Sequence, residues 1–465
     1  MLTYNMNQNS SQPMYLYLYN CIREDILKGI LQAGQKLPSK RSLARHLNLS
    51  VITVENAYAQ LLMEGYIHSI EKSGYYINEL EYSEEPAEPF SEPAPEEEFE
   101  YSFFADLRSN RIRRNHFPFS IWAKLMRNVL SEQKEMLLKT VPYNGIYELR
   151  LALAEFLHSY RGMSVLPSQI IIGSGTEFLY SRLFMLFGPD AVWGVEKTGN
   201  QKITHMYDMY HARWNYIPMD EDGPVLEQLT RKGCSILHVS PAHYFPTGSI
   251  MPIRRRQELL KWSTGSPARY LIEDDYDSEF RYSGKVSSTL YSMDCHDKVI
   301  YMNTFSKTLI PSLRISYMVL PPELMKKYTA MLSFYSGTVP SMEQYTLARF
   351  LSEGYFERHL NHMKIHYRSQ RDKLIQAIRQ SPLGEISTIE ETAAGTHFLL
   401  KIQTDKPDSR ITDAARRQNI DVASLSEYQA DHSDDTHILI INYSGIHAER
   451  IEETVRRLYQ AVSMP

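Results

Sequence analysis

The sequence has little cysteine: Cys21, Cys234 and Cys295 are the three in 465 residues. They are odd in number and far apart, which excludes a disulfide framework and a paired-cysteine metal motif. Such usage suits a reducing cytosol, so a cytoplasmic location is expected. No apolar run approaches the roughly 20 residues needed to cross a bilayer. The polar start, MLTYNMNQNSSQ, lacks a charged region followed by an apolar core, so no signal peptide and no membrane partner are expected. Excess positive charge is also missing, since 50 Lys and Arg stand against 55 Asp and Glu. Net charge therefore neither supports nor excludes nucleic acid as a partner.

What charge there is has been segregated. Residues 81–105 hold nine glutamates and no basic residue, whereas residues 1–80 hold seven Lys and Arg against six Asp and Glu. EYSEEPAEPFSEPAPEEEFE, with four prolines, reads as an extended, poorly ordered linker, because like charges repel and prolines break helices. The expected organisation is an N-terminal module over 1–80, a linker over 81–105 and a large module over 106–465.

The N-terminal module reads as three helices and a hairpin. Leu18, Ile22, Ile26 and Ile30 recur at helical spacing between Tyr15 and Leu31. Ser39 is placed to cap a second helix through Leu47, and Ser50 a third that closes at Gly65. YIHSIEKSGYYINEL then alternates around a Lys72-Ser73-Gly74 turn. Two helices joined by a short turn and followed by a basic-tipped hairpin make a winged helix-turn-helix, whose recognition helix enters the major groove of double-stranded DNA. The alternative is a winged helix that makes protein contacts. About 65 residues here, LPSKRSLARHLNLSVITVENAYAQLLMEGYI…KSGYYI, resemble the GntR family of bacterial regulators. The resemblance implies that Ser39 and Arg41 meet DNA at the start of the second helix, Thr53 and Asn56 on the recognition helix, and Lys72 and Gly74 at the wing. Val51 stands where many of these proteins have arginine.

The large module alternates helical stretches with the apolar runs QIIIGSG, AVWGVE, WNYIPM, SILHVSP, YLIEDD and VIYMNTF. That rhythm predicts an α/β fold with a mainly parallel sheet covered on both faces. Ligands bind outside the carboxyl ends of such strands, where Ser174, Asp274 and Thr304 fall. In NTFSKTLIPSLR, a lysine follows an apolar strand and an arginine comes seven residues later. A desolvated lysine becomes a nucleophile toward aldehydes, and arginine suits a phosphate. A Lys307 able to form a Schiff base beside Thr304 and Arg314 suggests pyridoxal phosphate, the alternative being a surface Lys–Arg pair. YLIEDDYDSEFRY supplies a carboxylate, Asp274, for the protonated ring nitrogen, and Tyr276 for the phenolic oxygen. Asp275, Asp277 and Glu279 could instead form a metal cluster. IIIGSGTEFLYSRL places Ser174, Gly175 and Thr176 at a helix N-terminus that suits a phosphate. His243, ahead of a Pro-Thr-Gly turn, flanks the same site or serves the fold.

Together these segments resemble the fold type I aminotransferases. Joined to the winged helix they resemble the MocR subfamily of GntR regulators across nearly the whole chain. This resemblance implies Lys307 as the internal aldimine. It also implies a phosphate cradle of Ser174, Gly175, Thr176, Thr304 and Arg314, a smaller C-terminal α/β subdomain, and a head-to-tail, domain-swapped homodimer. Asn200 stands where the family's ring-stacking tyrosine falls, Lys202 where an effector-holding arginine falls, and Ile440 where aminotransferases often keep a carboxylate-binding arginine. The expected function is a pyridoxal-phosphate-dependent regulator that senses an amine, an amino acid or the cofactor itself. The competing readings are a working aminotransferase carrying a docking domain, with half-transamination within reach of either, and a scaffold with a dead cofactor site.

Overall fold

The computed structural model describes residues 2–6, 12–80, 103–110, 116–197, 201–281, 288–390, 395–429 and 435–463. The chain divides into two compact units, Met1–Glu100 and Tyr101–Pro465. The linker expected over 81–105 lies almost wholly outside the described residues, which resume at Phe103.

The first unit contains α1 (Met14–Leu27), α2 (Lys40–Leu47), α3 (Val51–Met63), β1 (Ile67–Ile70) and β2 (Gly74–Ile77). Both predicted caps form. The Ser42 amide donates to Ser39 Oγ at 3.2 Å and the Thr53 amide to Ser50 Oγ at 3.1 Å. Each satisfies a backbone donor that the first helical turn would leave bare. Asn48, in the left-handed region at φ 54°, ends α2 and turns the chain into α3. Leu18, Ile22, Ile26, Leu43, Val54, Leu61, Ile67 and Ile77 close the core. One expectation fails here. Ile30 is 64% exposed and Leu31 is buried instead, because α1 stops at Leu27 and Gly29, at φ 70°, rotates the chain out of the helical period.

The second unit is built on a seven-stranded sheet. Its strands are β3 (Ile170–Gly173), β4 (Val192–Glu196), β5 (Arg213–Ile217), β6 (Ile236–Val239), β7 (Tyr270–Asp274), β8 (Val299–Thr304) and β9 (Ser316–Val319). Their order is β3-β9-β8-β7-β6-β4-β5, and β9 alone runs antiparallel to its neighbours. All six predicted apolar runs are strands of this sheet. Successive residues face opposite sides. Ile170, Ile172 and Tyr301 pack into one core, while Ile171, Ile300 and Met302 pack into the other. Burial on both faces is why these runs read as continuously apolar rather than alternating. A smaller C-terminal sheet is antiparallel, in the order β10-β11-β13-β12 for β10 (Ser387–Glu390), β11 (His397–Ile402), β12 (Ala423–Ser424) and β13 (Ile438–Asn442).

Candidate functional site

A cavity of about 210 Å³ opens at the carboxyl ends of β4, β6, β7 and β8. Five of the predicted residues converge on it, Asp274, Tyr276, Thr304 and Lys307, with Thr176 from the start of α4 (Thr176–Phe187). Convergence follows from topology, since parallel strands deliver their ends to one edge.

Each side chain is held by its own element. Lys307 is half-buried on a single helical turn, α5 (Phe305–Thr308), that directly follows β8. Thr304 caps that turn, accepting from the Ser306 amide at 3.2 Å, and its hydroxyl also accepts from Ser316 Oγ at 2.8 Å. With its acceptor sites filled, the Thr304 hydroxyl has its proton to offer to an anion. Asp274 ends β7. Its Oδ2 lies 3.4 Å from His238 Nε2, while Oδ1 is buried and has no hydrogen-bond partner. A buried carboxylate oxygen without a donor is costly. A protonated ring nitrogen is the kind of donor it lacks. Tyr276, two residues on, places its hydroxyl 3.3 Å from His243 Nδ1.

His243 does not line the cavity. It is buried behind Tyr276, and its Nδ1 sits 2.9 Å from Asp277 Oδ1. Its Nδ1 is thus shared between the Asp277 carboxylate and the Tyr276 hydroxyl, which orients the ring behind Tyr276. The three acids proposed as an alternative metal cluster are likewise spoken for. Asp275 pairs with Arg161 and accepts from Tyr301 at 2.7 Å, Asp277 faces His243, and Glu279 accepts from Asn303 Nδ2 at 2.9 Å. Among the described residues no such group is arranged to hold a metal.

The phosphate side is split. Gly175 sits at φ 92°, and a Cβ there would overlap the Arg314 guanidinium, so this turn requires glycine. Ser174 and Arg314 line a neighbouring cavity of about 420 Å³ rather than the one holding Lys307. Arg314 itself lies in the left-handed region at φ 50°. Its Nη2 donates to Glu177 Oε2 at 2.6 Å, and Glu177 also pairs with the exposed Lys202. Glu177, in the first turn of α4, thus occupies two cations assigned to cofactor and effector. An acid in a helix's first turn favours the same dipole a phosphate would use.

Sequence reasoning missed much of the wall. Tyr216, Tyr244, Phe245 and Tyr428 line the cavity, as does Glu196. Burial, then the charge of Asp274, pushes the Glu196 carboxyl well above its ordinary pKa. Glu196 ends β4 and His238 lies next to the end of β6, so both were legible in principle. Tyr428 arrives from the C-terminal subdomain, and nothing local marks it. Asn200 lies outside the described residues. Ile440 is buried within β13, so no cation stands there.

On the first unit, Arg41, Asn56 and Lys72 are exposed. Lys72 takes the left-handed conformation at φ 59° at the hairpin tip, and Gly74 follows at φ 126°. Ser39 and Thr53 are partly engaged in capping, with Thr53 Oγ1 2.7 Å from Ser50 Oγ. Among the described residues no helix is long and apolar enough to cross a membrane.

Comparison with known proteins agrees with both halves. Residues 14–77 match the gntR family of bacterial regulatory proteins, a DNA-binding class, and residues 105–458 match aminotransferase class I and II, a pyridoxal-phosphate-dependent family. The HTH-type transcriptional regulator YdeL of Bacillus subtilis (strain 168) is 35% identical, covering 98% of each chain. The probable rhizopine catabolism regulatory protein MocR of Rhizobium meliloti is 30% identical over 98% of this chain and 95% of its own. The pyridoxine biosynthesis regulator PdxR of Corynebacterium glutamicum is 28% identical over 88% of this chain and 87% of its own. Kynurenine aminotransferase of Pyrococcus horikoshii shares the fold, at a TM-score of 0.67 and 22% identity over 77% of this chain and 90% of that one. With a GntR winged helix fused to an aminotransferase-type domain along the full length of such relatives, the chain belongs to the MocR subfamily of GntR transcriptional regulators.

Proposed function

We propose that Lys307, Asp274 and Tyr276 hold pyridoxal phosphate as the sensing element of this regulator, and that an amine, an amino acid or the cofactor itself is the effector. The observation that carries this reading is the donorless Asp274 Oδ1 in the same cavity as Lys307. When bound, the cofactor supplies an aldehyde carbon that exchanges between amines. Lys307 would supply the amine that holds the aldehyde, and an effector amine would compete for the same carbon. Asp274 keeps the ring nitrogen protonated, with His238 orienting its other oxygen. Tyr276, steadied by the buried His243–Asp277 pair, faces the phenolic oxygen. Thr176 and Thr304 would donate to the phosphate, and Ser174, Gly175 and Arg314 would complete the cradle if Arg314 left Glu177. DNA contact falls to Ser39, Arg41, Thr53, Asn56, Lys72 and Gly74, in a head-to-tail homodimer in the cytoplasm. Lys202 lies near enough to Glu177 to belong to an effector's surroundings. An effector acts only by binding the dimer's conformations with different affinity.

A second reading, a working aminotransferase, is favoured by one observation: Lys307, Asp274 and Tyr276 share a single cavity, as catalysis would require. The test is a mobility shift on the intergenic DNA upstream of the gene, with and without pyridoxal phosphate and a panel of amines. It is run beside a multiple-turnover transamination assay. Binding that responds to cofactor or amine supports the regulator. Rapid turnover with no effect on DNA supports the enzyme, and failure to bind any fragment sinks the regulator.

A further inference from the structure

The recognition helix carries no lysine or arginine anywhere in VITVENAYAQLLM. Its core face is Val54, Ala57, Tyr58 and Leu61. The opposite face exposes Ile52, Glu55, Asn56, Ala59 and Met63, and Val51 is exposed beside it in the first turn. Ile52 is 69% exposed and Val51 43%. Two β-branched apolar side chains therefore face water at the end of the helix that, in this motif, reaches base edges. No element of their own unit covers them. The cations lie elsewhere, Arg41 and Arg45 on α2 and Lys72 at the wing tip, all exposed. Lys40 is tied to Glu55 on α3 at 2.6 Å, which occupies the one charged group of the outward face.

The groove edges of the bases sort these groups. Guanine shows two acceptors and is read by arginine or lysine, which α3 lacks. Cytosine shows a donor that a carboxylate could take, but Glu55 is engaged by Lys40. Thymine shows a methyl group, which apolar side chains contact, and adenine shows the donor and acceptor that an asparagine amide spans. Thr53 contributes least, because its hydroxyl is bonded to the Ser50 cap.

Resting on the DNA-binding reading above, we propose that Val51 and Ile52 read thymine C5-methyl groups and Asn56 an adjacent adenine, so that the half-site core is A·T and phosphate binding is delegated to α2 and the wing. The test uses the full chain and an upstream fragment it binds, followed by fluorescence anisotropy. Deoxyuridine replaces thymidine across the half-site, which removes methyl groups and changes no hydrogen bond. Each contacted methyl removed should weaken binding roughly fourfold. In Ile52→Ala or Val51→Ala, both surface changes that leave the core intact, that uridine penalty should shrink by the share of the contact removed, and in the double variant toward none. Equal affinity of the wild type for thymine and uracil operators overturns the inference while leaving DNA binding intact. So does an Ile52→Ala loss that is the same on both operators, which would place Ile52 against the sugar-phosphate backbone. Failure to bind any fragment overturns the inference together with the reading beneath it.

Discussion

Replacing Arg161 by methionine should destabilise the large unit by about 3–5 kcal/mol, the cost of leaving a buried charge without its partner. The Arg161 and Asp275 side chains are 3% and 1% exposed, and they form an ion pair beneath the sheet edge that carries Asp274. Asp275 keeps only the Tyr301 hydroxyl when the guanidinium is gone, and its Oδ1 is already without a donor. The pair is itself imperfectly satisfied, since Arg161 Nε also lacks a partner. Apolar replacement of both members, Arg161→Met with Asp275→Leu, should therefore recover more than half of the loss. Tyr301 losing its acceptor would account for about 1–3 kcal/mol of what remains. Urea titration read by tryptophan fluorescence isolates this unit, because Trp122, Trp193, Trp214 and Trp262 are the only 4 tryptophans and all lie in it. The single variant should also bind pyridoxal phosphate more weakly, as Asp275 adjoins Asp274. A single-variant loss under about 1 kcal/mol, or a double variant no better than the single, would refute the reasoning.

Lys307→Ala should abolish borohydride trapping of pyridoxal phosphate on the protein, read by mass spectrometry, while circular dichroism stays unchanged. Glu177→Gln should release Arg314 and remove a negative charge from the α4 N-terminus, tightening pyridoxal phosphate binding by about 1 kcal/mol, or several-fold, in a spectroscopic titration. Burial, then the charge of Asp275, pushes Glu279 up to about 7 from 4.5. The folded protein then holds that proton more tightly than the unfolded chain, so stability should fall as pH rises between these values and level off above them. Glu279→Gln should flatten that decline, by up to about 3 kcal/mol, in urea titrations at pH 4.5 and 7.5.

The order of elements and the candidate residues were legible because both rest on local chemistry. A strand buried on both faces must be apolar throughout, so six strand runs stood out, each in a short stretch of sequence. Ser39 and Ser50 announced helix starts because a capping hydroxyl acts within three residues. Lys307, Asp274 and Tyr276 were identifiable as neighbours because strand ends in a parallel sheet share one edge, whatever their separation along the chain. The failures have equally physical causes. Ile30 kept the helical period in sequence but fell past a turn at Gly29. β9, antiparallel between β3 and β8, carried no motif to mark its direction.

Tertiary structure alone decided what each charge meets. Asp274, Asp275 and Asp277 lie within four residues of one strand end, yet one keeps a carboxylate oxygen without a donor in the cavity, one is sunk against Arg161 and one is bonded to His243. Arg314 and Lys202 converge on Glu177 only because the loop after β8, the start of α4 and the residues after β4 are folded together. The aromatic wall depends on Tyr428 crossing from the C-terminal subdomain. Residue type and short spacing determined which chemistry this chain can perform. Side-chain partners drawn from distant segments determined which of those groups remain open to a ligand, because desolvation and pairing are set by neighbours in space and not by neighbours in sequence.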